Sequence, residues 1–316
     1  MITKLIDRFF DLILILFGLV ALWILWQVFF FSSFHIPSDS MEPELKEGDA
    51  VAVFKPIIGA RLFNINATLR VEETPIYRVP GWRKIKRNDV LVFNFPYPIQ
   101  KDKIRMHILQ YYIKRCIGLP GDSVSIRDGY FQVAGYEQPL GNLKEQQLMS
   151  TQKPTNFTKG VYNSFPYDSV MHWNIQDFGP LYLPKKGDCL PMTREHFVLY
   201  RNLIEWEQGK PLSYQDSTVC LDGEPITNYC FQKNYYFMAG DKSVNSKDSR
   251  YWGLLPEDYI VGKATFIWKS TDPYDGKITN SIFVWRKRKA ALVNYKRMNL
   301  DGIRVLDSEY LLENRK

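Results

Sequence analysis

From Leu12 to Phe34 the chain carries no charged residue. This run of 23 residues is rich in Leu, Ile, Val and Phe, includes Trp23 and Trp26, and can fold into few things. As a helix rising about 1.5 Å per residue it covers a hydrocarbon core of roughly 30 Å. It has no polar face to turn away from a soluble core. It also ends in Phe29-Phe30-Phe31-Ser32-Ser33-Phe34, not in a small-residue cleavage site. A retained transmembrane anchor is therefore expected in preference to a cleaved leader. Lys4 and Arg8 precede the run; by the positive-inside rule they keep the N-terminus in the cytoplasm and place residues from 35 onward outside it.

No second apolar segment reaches that length, so the rest is expected to form a body large enough for one large or two smaller cores. The formal net charge is +7, and the segment Arg286–Lys316, with nine Lys/Arg against four acids, holds most of it. A nearly neutral body without a basic, aromatic-laced surface disfavours nucleic-acid binding. The tail itself reads as solvated, with contact to anionic lipid headgroups as the sharper alternative. Cys116, Cys189, Cys220 and Cys230 show no CxxC and no histidine at zinc spacing, so no metal site is expected. Outside the cytoplasm a disulfide is permitted: Cys220 with Cys230, or either with Cys189. Cys116 lies in an apolar run and reads as a buried thiol.

The body reads as mainly β. Asp49–Phe54, Asp89–Phe95, Tyr235–Met238 and Ile260–Trp268 are short β-branched and aromatic runs bounded by turn residues. Val124–Val133 and Val219–Ile226 are hairpins around Asp128-Gly129 and Asp222-Gly223. Helical periodicity is faint, near Thr193–Glu207 and in the tail. Residues 55–87 and the polar stretch 135–215 look inserted, the second large enough for a satellite lobe. The division expected is 1–34 anchor, 35–134 core, 135–215 satellite or cap, 216–280 core continued and 281–316 basic tail.

Two segments point to chemistry. Directly after the apolar run comes Ile36-Pro37-Ser38-Asp39-Ser40-Met41-Glu42-Pro43-Glu44-Leu45. A serine hydroxyl needs a base, and none of the four histidines sits in a triad signature. A lysine can serve when burial strips its proton. Lys114, in Tyr111-Tyr112-Ile113-Lys114-Arg115-Cys116-Ile117-Gly118-Leu119-Pro120-Gly121-Asp122, lies among apolar residues, with Arg115 on the opposite face and expected to stay solvated. On composition alone a surface lysine is the default. Ser150-Thr151-Gln152-Lys153 is a Ser-x-x-Lys in a polar stretch and reads as coincidence.

These segments resemble the boxes of the bacterial type I signal peptidases. Ser38-x-Ser40-Met41-x-Pro43 is similar to the nucleophile box, and Ile113-Lys114-Arg115-x-x-Gly118-Leu119-Pro120-Gly121-Asp122 to the general-base box. Asn88–Phe93 and Gly240–Gly253 resemble two more, in the family's order and behind one anchor. The resemblance implies a membrane-anchored Ser/Lys-dyad endopeptidase of β-rich fold on the outer face of the cytoplasmic membrane. It would remove signal peptides after Ala-x-Ala through an acyl-enzyme. It implies Ser40 as nucleophile and Lys114 as base. Ser38 and the Ser40 N–H would form the oxyanion hole, Ser246 would orient the lysine, and Asp248 with Arg250 would be a bracing ion pair. Phe34, Ile36, Pro37, Met41, Leu45, Tyr112 and Ile113 would line the substrate subsites. Precursor proteins and membrane lipid are the implied partners, with no cofactor, nucleic acid or obligate protein partner. Ser38 is also an ordinary turn residue. The sequence departs from the family pattern at Asp39 (often Gly), Glu44 (commonly Thr), Asn88 (Gly) and Lys242-Ser243-Val244-Asn245 (Asn-Arg-Asp-Asn), and does not say where the Asp39 carboxylate points. A decayed, tethered binding protein and a specialised processing peptidase are the competing expectations. A self-cleaving repressor is excluded, because a membrane helix stands where its DNA-binding domain would be.

Overall fold

The computed structural model describes residues 2–281 other than 101, 159 and 273–275; the basic tail and its faint helical pattern lie outside the described residues. The apolar run forms the helix Ile2–Phe29, of which Ile6–Phe29 is long and apolar enough to cross a membrane and has no residue buried against the body. It stops earlier than the uncharged run. Phe31–His35 is instead a strand, because its backbone pairs antiparallel with Asp49–Phe54, from Phe31 opposite Phe54 to His35 opposite Ala50. Phenylalanine and serine suit either conformation; the partner strand decides.

One residue, Phe30, separates helix from strand, and the joint is braced. Lys55 Nζ donates to the Gln27 and Val28 carbonyls at 2.6 and 3.3 Å, capping the helix C-terminus with a cation. Rings continue across the joint: Trp26 stacks on Phe30, Phe31 lies against Phe54, and Phe54 meets Trp82 edge-on.

The body is built on an eight-stranded sheet in which every pairing is antiparallel. Across it run Phe31–His35, Asp49–Phe54, Ile260–Thr271, Val90–Asn94, Tyr111–Gly118, Tyr235–Ala239 and Leu255–Pro256, with Ile278–Ser281 on the far part of the long strand. Apolar side chains cover both faces. Val90, Val92 and Ile113 join Ile36, Met41, Leu45 and Val51 in one cluster; Leu91, Phe93, Cys116 and Ile117 join the larger core. The two Asp-Gly hairpins form as expected, with positive φ at Asp128, Gly129, Asp222 and Gly223 as tight two-residue turns require.

The stretch 135–215 does not build a lobe with its own core. Its strand Phe178–Tyr182 adds to Ser123–Arg127, and Leu140, Phe178, Leu181, Tyr200, Leu203 and Ile204 pack into the same cluster as Phe93 and Phe237. The helix Arg194–Gln208 starts at Thr193, whose hydroxyl accepts from His196 N–H, and ends at Gly209 in the left-handed region. Leu199, Tyr200, Leu203 and Ile204 form its buried stripe. Cys189 and Cys230 face each other on paired strands and form the disulfide; Cys116 is buried and reduced, and Cys220 is a free thiol. Residues 55–87 form a strap, fastened where Arg61 and Arg78 donate to the carbonyls of Glu257, Tyr259 and Ile260 at 2.7–3.0 Å.

Candidate active site

Ser40 lies in a turn that leaves the sheet after His35. Ile36 N–H bonds to Asp49 and Gly48 N–H to Ile36, tying the turn's two ends together. Within it Glu42 N–H donates to Asp39 at 2.9 Å and Leu45 N–H to Met41 at 3.0 Å. This helical spacing sets Met41 and Leu45 on one side, and both are fully buried against Val51 and Val53. They hold the turn against the sheet and do not line the cleft, which corrects their expected place among the subsites.

Lys114 reaches the turn from Tyr111–Gly118, where Leu91 is its cross-strand partner. It is 5% exposed, and its Nζ donates a hydrogen bond to Ser40 Oγ. Burial pulls its pKa from 10.5 down to about 8; Asp248 and Asp241 oppose the shift, and Arg250 adds to it. The Ser38 hydroxyl lies 3.5 Å from Ser40 Oγ.

Arg115 is not solvated. Strand alternation does send it to the opposite face, but that face is covered as well. Its guanidinium donates to both Asp241 oxygens and, at 2.5 Å, to Glu44, with a 2.9 Å bond to the Asn88 carbonyl. Burial works against the charge, but Asp241 and Glu44 raise its pKa. Two of the departures from the family pattern thus converge on this arginine. Asn88 adopts a left-handed φ of 67°, which Asn tolerates, and its side chain bonds Pro139 O and Gly141 N–H.

Asp248 and Arg250 form a fully buried, two-pronged ion pair at 2.9 Å, and Asp248 also accepts from Gly240 N–H. Burial alone would raise the Asp248 pKa; Arg250 and these hydrogen bonds bring it below its ordinary value. Ser246 is buried beside Gly240 and helps keep Asp248 ionised, but makes no hydrogen bond to Lys114, so the expected orienting contact is not formed. Asp39 turns to Lys242 and Asn245, which settles the orientation that the sequence left open.

A cleft of about 740 Å³ opens in front of Ser40 and Lys114. Phe34, Ile36, Pro37, Tyr112 and Ile113, the residues expected at the subsites, are among its lining. Tyr111, Leu109, Val92, Asn245 and Lys247 also line it, and the sequence reading missed them. Tyr111 adjoins the lysine segment and could have been included on that ground; Leu109 and Lys247 carry no local signal. The cleft extends to Gln27, at the end of the long helix. Phe34 meets Tyr111 edge-on at 4.7 Å. Two strand edges border the opening: Phe31–His35 is the first strand of the sheet, and the lysine strand is paired by Tyr235–Ala239 only from Arg115 onward, so that among the described residues Tyr111–Lys114 has no strand on that side. Ser150 lies at a helix end, its hydroxyl bonded to Gln147 O, apart from this cleft.

The model of the peptidase S26 signal peptidases matches residues 9–269. The chain belongs to this family. A signal peptidase I of Buchnera aphidicola (subspecies Acyrthosiphon pisum) is 30% identical to it over 262 residues, covering 82% of this chain and 74% of that protein. Signal peptidases I of Haemophilus influenzae and Pseudomonas aeruginosa are each 29% identical, covering 81% and 80% of this chain and 68% and 70% of theirs. A signal peptidase I structure from Enterococcus faecalis covers 58% of this chain and 98% of its own at 21% identity, with a TM-score of 0.27, too low to carry any conclusion. This member of the signal peptidase family is thus a serine peptidase, and its family's reaction is the removal of signal peptides.

Proposed function

We propose that this peptidase cleaves signal peptides from exported precursors with Ser40 as nucleophile and Lys114 as general base, anchored by its N-terminal helix with the body outside the cytoplasm. One observation carries the reading: a lysine in an apolar setting, with a pKa near 8, bonded to a serine hydroxyl at the floor of a cleft. With that pKa about a tenth of the amine is neutral at pH 7, enough for a working base. Neutral Lys114 takes the Ser40 proton as Oγ attacks the scissile carbonyl. The oxyanion then meets the Ser40 N–H and the Ser38 hydroxyl, two donors that would stabilise the charge as it develops. The Lys114 ammonium next protonates the leaving amine, and an ester to Ser40 remains. Lys114 then deprotonates water, whose oxygen attacks the ester carbonyl, and returns the proton to Ser40 Oγ as the signal peptide leaves as a carboxylate.

The two strand edges beside the cleft, Phe31–His35 and Tyr111–Lys114, are open among the described residues and suit an extended peptide pairing by its backbone, which tolerates varied sequences. Phe34, Ile36 and Tyr112 give the cleft an apolar lining, and the preference for Ala-x-Ala before the cut is carried over from the resemblance of the Ser40 and Lys114 boxes to the family's. The test is cleavage of an Ala-x-Ala precursor by the detergent-solubilised full chain beside Ser40→Ala and Lys114→Ala. Cleavage after the second Ala, lost in both variants and falling about tenfold per pH unit below 8, is expected. Activity surviving Ser40→Ala, or a flat rate between pH 5.5 and 7.5 (roughly the window where the neutral amine becomes scarce), overturns the dyad.

A further inference from the structure

A second charged arrangement touches the nucleophile turn without entering the reaction. Asp39 stands between Ser38 and Ser40, and two groups from the 240–246 loop bind its carboxylate. Lys242 Nζ donates to Oδ2, and Asn245 Nδ2 lies 3.1 Å from both oxygens. The same ammonium reaches Glu42 at 3.3 Å. The backbone joins in, with Lys242 N–H donating to the Ser40 carbonyl at 3.1 Å. At the loop's start there is no slack: a Cβ on Gly240 would stand 2.1 Å from Ser246 Oγ and 2.7 Å from the Ser40 carbonyl oxygen. The Lys242 and Asp39 side chains are 28% and 35% exposed, so the pair adds little to global stability. Its placement is what matters, because it ties the residue before Ser40 to the segment that carries Ser246 and Asp248. Lys242 is also the one cation here between two acids, Asp39 and Glu42.

We propose that Asp39, Lys242 and Asn245 form a clasp that positions the nucleophile turn, and that Lys242 is needed because Asp39 is present. Removing the ammonium leaves Asp39 and Glu42 with unbalanced negative charge and loosens the turn, which is then held to the loop only by Asn245 and the Lys242 N–H. Removing the Asp39 charge as well relieves the imbalance. The field at Lys114 changes with it. Asp39 acts on that amine beside Asp248, Asp241 and Arg250 and favours its proton, and Lys242 balances Asp39.

The clasp rests on Ser40 and Lys114 acting as proposed above, so Ser40→Ala is run in the same series. The full chain in detergent is compared as wild type, Lys242→Met, Lys242→Arg, Asp39→Asn and Asp39→Asn/Lys242→Met, with kcat, KM, pH profile and melting temperature for each. Lys242→Met should lower kcat roughly tenfold with KM changed less than about twofold, and Lys242→Arg should recover most of the loss. The double variant should be faster than Lys242→Met alone, within about threefold of wild type. The acidic limb of the profile should move to higher pH in Lys242→Met and to lower pH in Asp39→Asn. The clasp is overturned if the double variant is as slow as the product of the singles, if the limb does not move, or if lost activity merely tracks lost folded protein. A wild type that cleaves nothing overturns the parent reading instead.

Discussion

Lys114→Met removes the proposed base, and it should stabilise the protein in acid while abolishing cleavage. In the unfolded chain this amine keeps its proton up to its ordinary pKa of 10.5; in the folded body it does so only to about 8. Between these values unfolding takes up a proton, so stability rises with pH across that window and the full penalty is present below it. The gap corresponds to about 3 kcal/mol. Methionine fills a similar volume without a charge, but forfeits the hydrogen bond to Ser40, worth about 1 kcal/mol. The variant should therefore be more stable than wild type by about 2 kcal/mol near pH 6, and less stable by about 1 kcal/mol above 10.5. Urea unfolding of both detergent-solubilised proteins at the two pH values, followed by tryptophan fluorescence, reads the difference. Other titrating groups are common to both and cancel. A difference that keeps its sign and size across that range would refute the burial argument, and with it the reason Lys114 can act as a base.

Arg115→Ala leaves Glu44 and Asp241 buried without their cation and should lower stability by about 3–5 kcal/mol, read as a lower urea midpoint. Arg115→Lys should restore only part of this, because one ammonium cannot reproduce the forked bonds. Cys189→Ser and Cys230→Ser should each cost about 2–4 kcal/mol by thermal melting, as should reduction of wild type, with Cys220→Ser neutral. Gly240→Ala should cost about 1–3 kcal/mol, because its Cβ would collide with the Ser40 carbonyl, and should slow cleavage more than it lowers melting.

What could be read from the sequence was local. The Asp128-Gly129 and Asp222-Gly223 hairpins follow from turn chemistry within four residues. The Ser40 and Lys114 segments stand out because each carries several unusual neighbours together. Contacts between distant segments did not show. Phe31–Phe34 reads equally as the end of a helix, and only Asp49–Phe54 makes it a strand. Phe178–Tyr182 contains Gly179-Pro180, which argues against a strand until Ser123–Arg127 pairs with it, so 135–215 looked separate from the core. The helix Leu143–Ser150 escaped notice because only Gln146 and Met149 are buried on it, although Asn142 supplied a cap. Alternation gave Arg115 its face correctly, but could not reveal that this face is covered. Asp39 found its partner 203 residues away.

Asp248 and Asp241 are the carboxylates that most favour a charged Lys114, and each is engaged by an arginine, Arg250 and Arg115. The two guanidiniums thus act as insulation around the amine, holding negative potential away from it. Stripping either one would expose Lys114 to a full carboxylate field and return its proton, with Ser40 and Lys114 both still in place. With Lys114 as the proposed base, an enzyme altered in this way would fall silent at neutral pH and wake in alkali. Failure at this site can therefore arise in residues that touch neither the hydroxyl nor the amine.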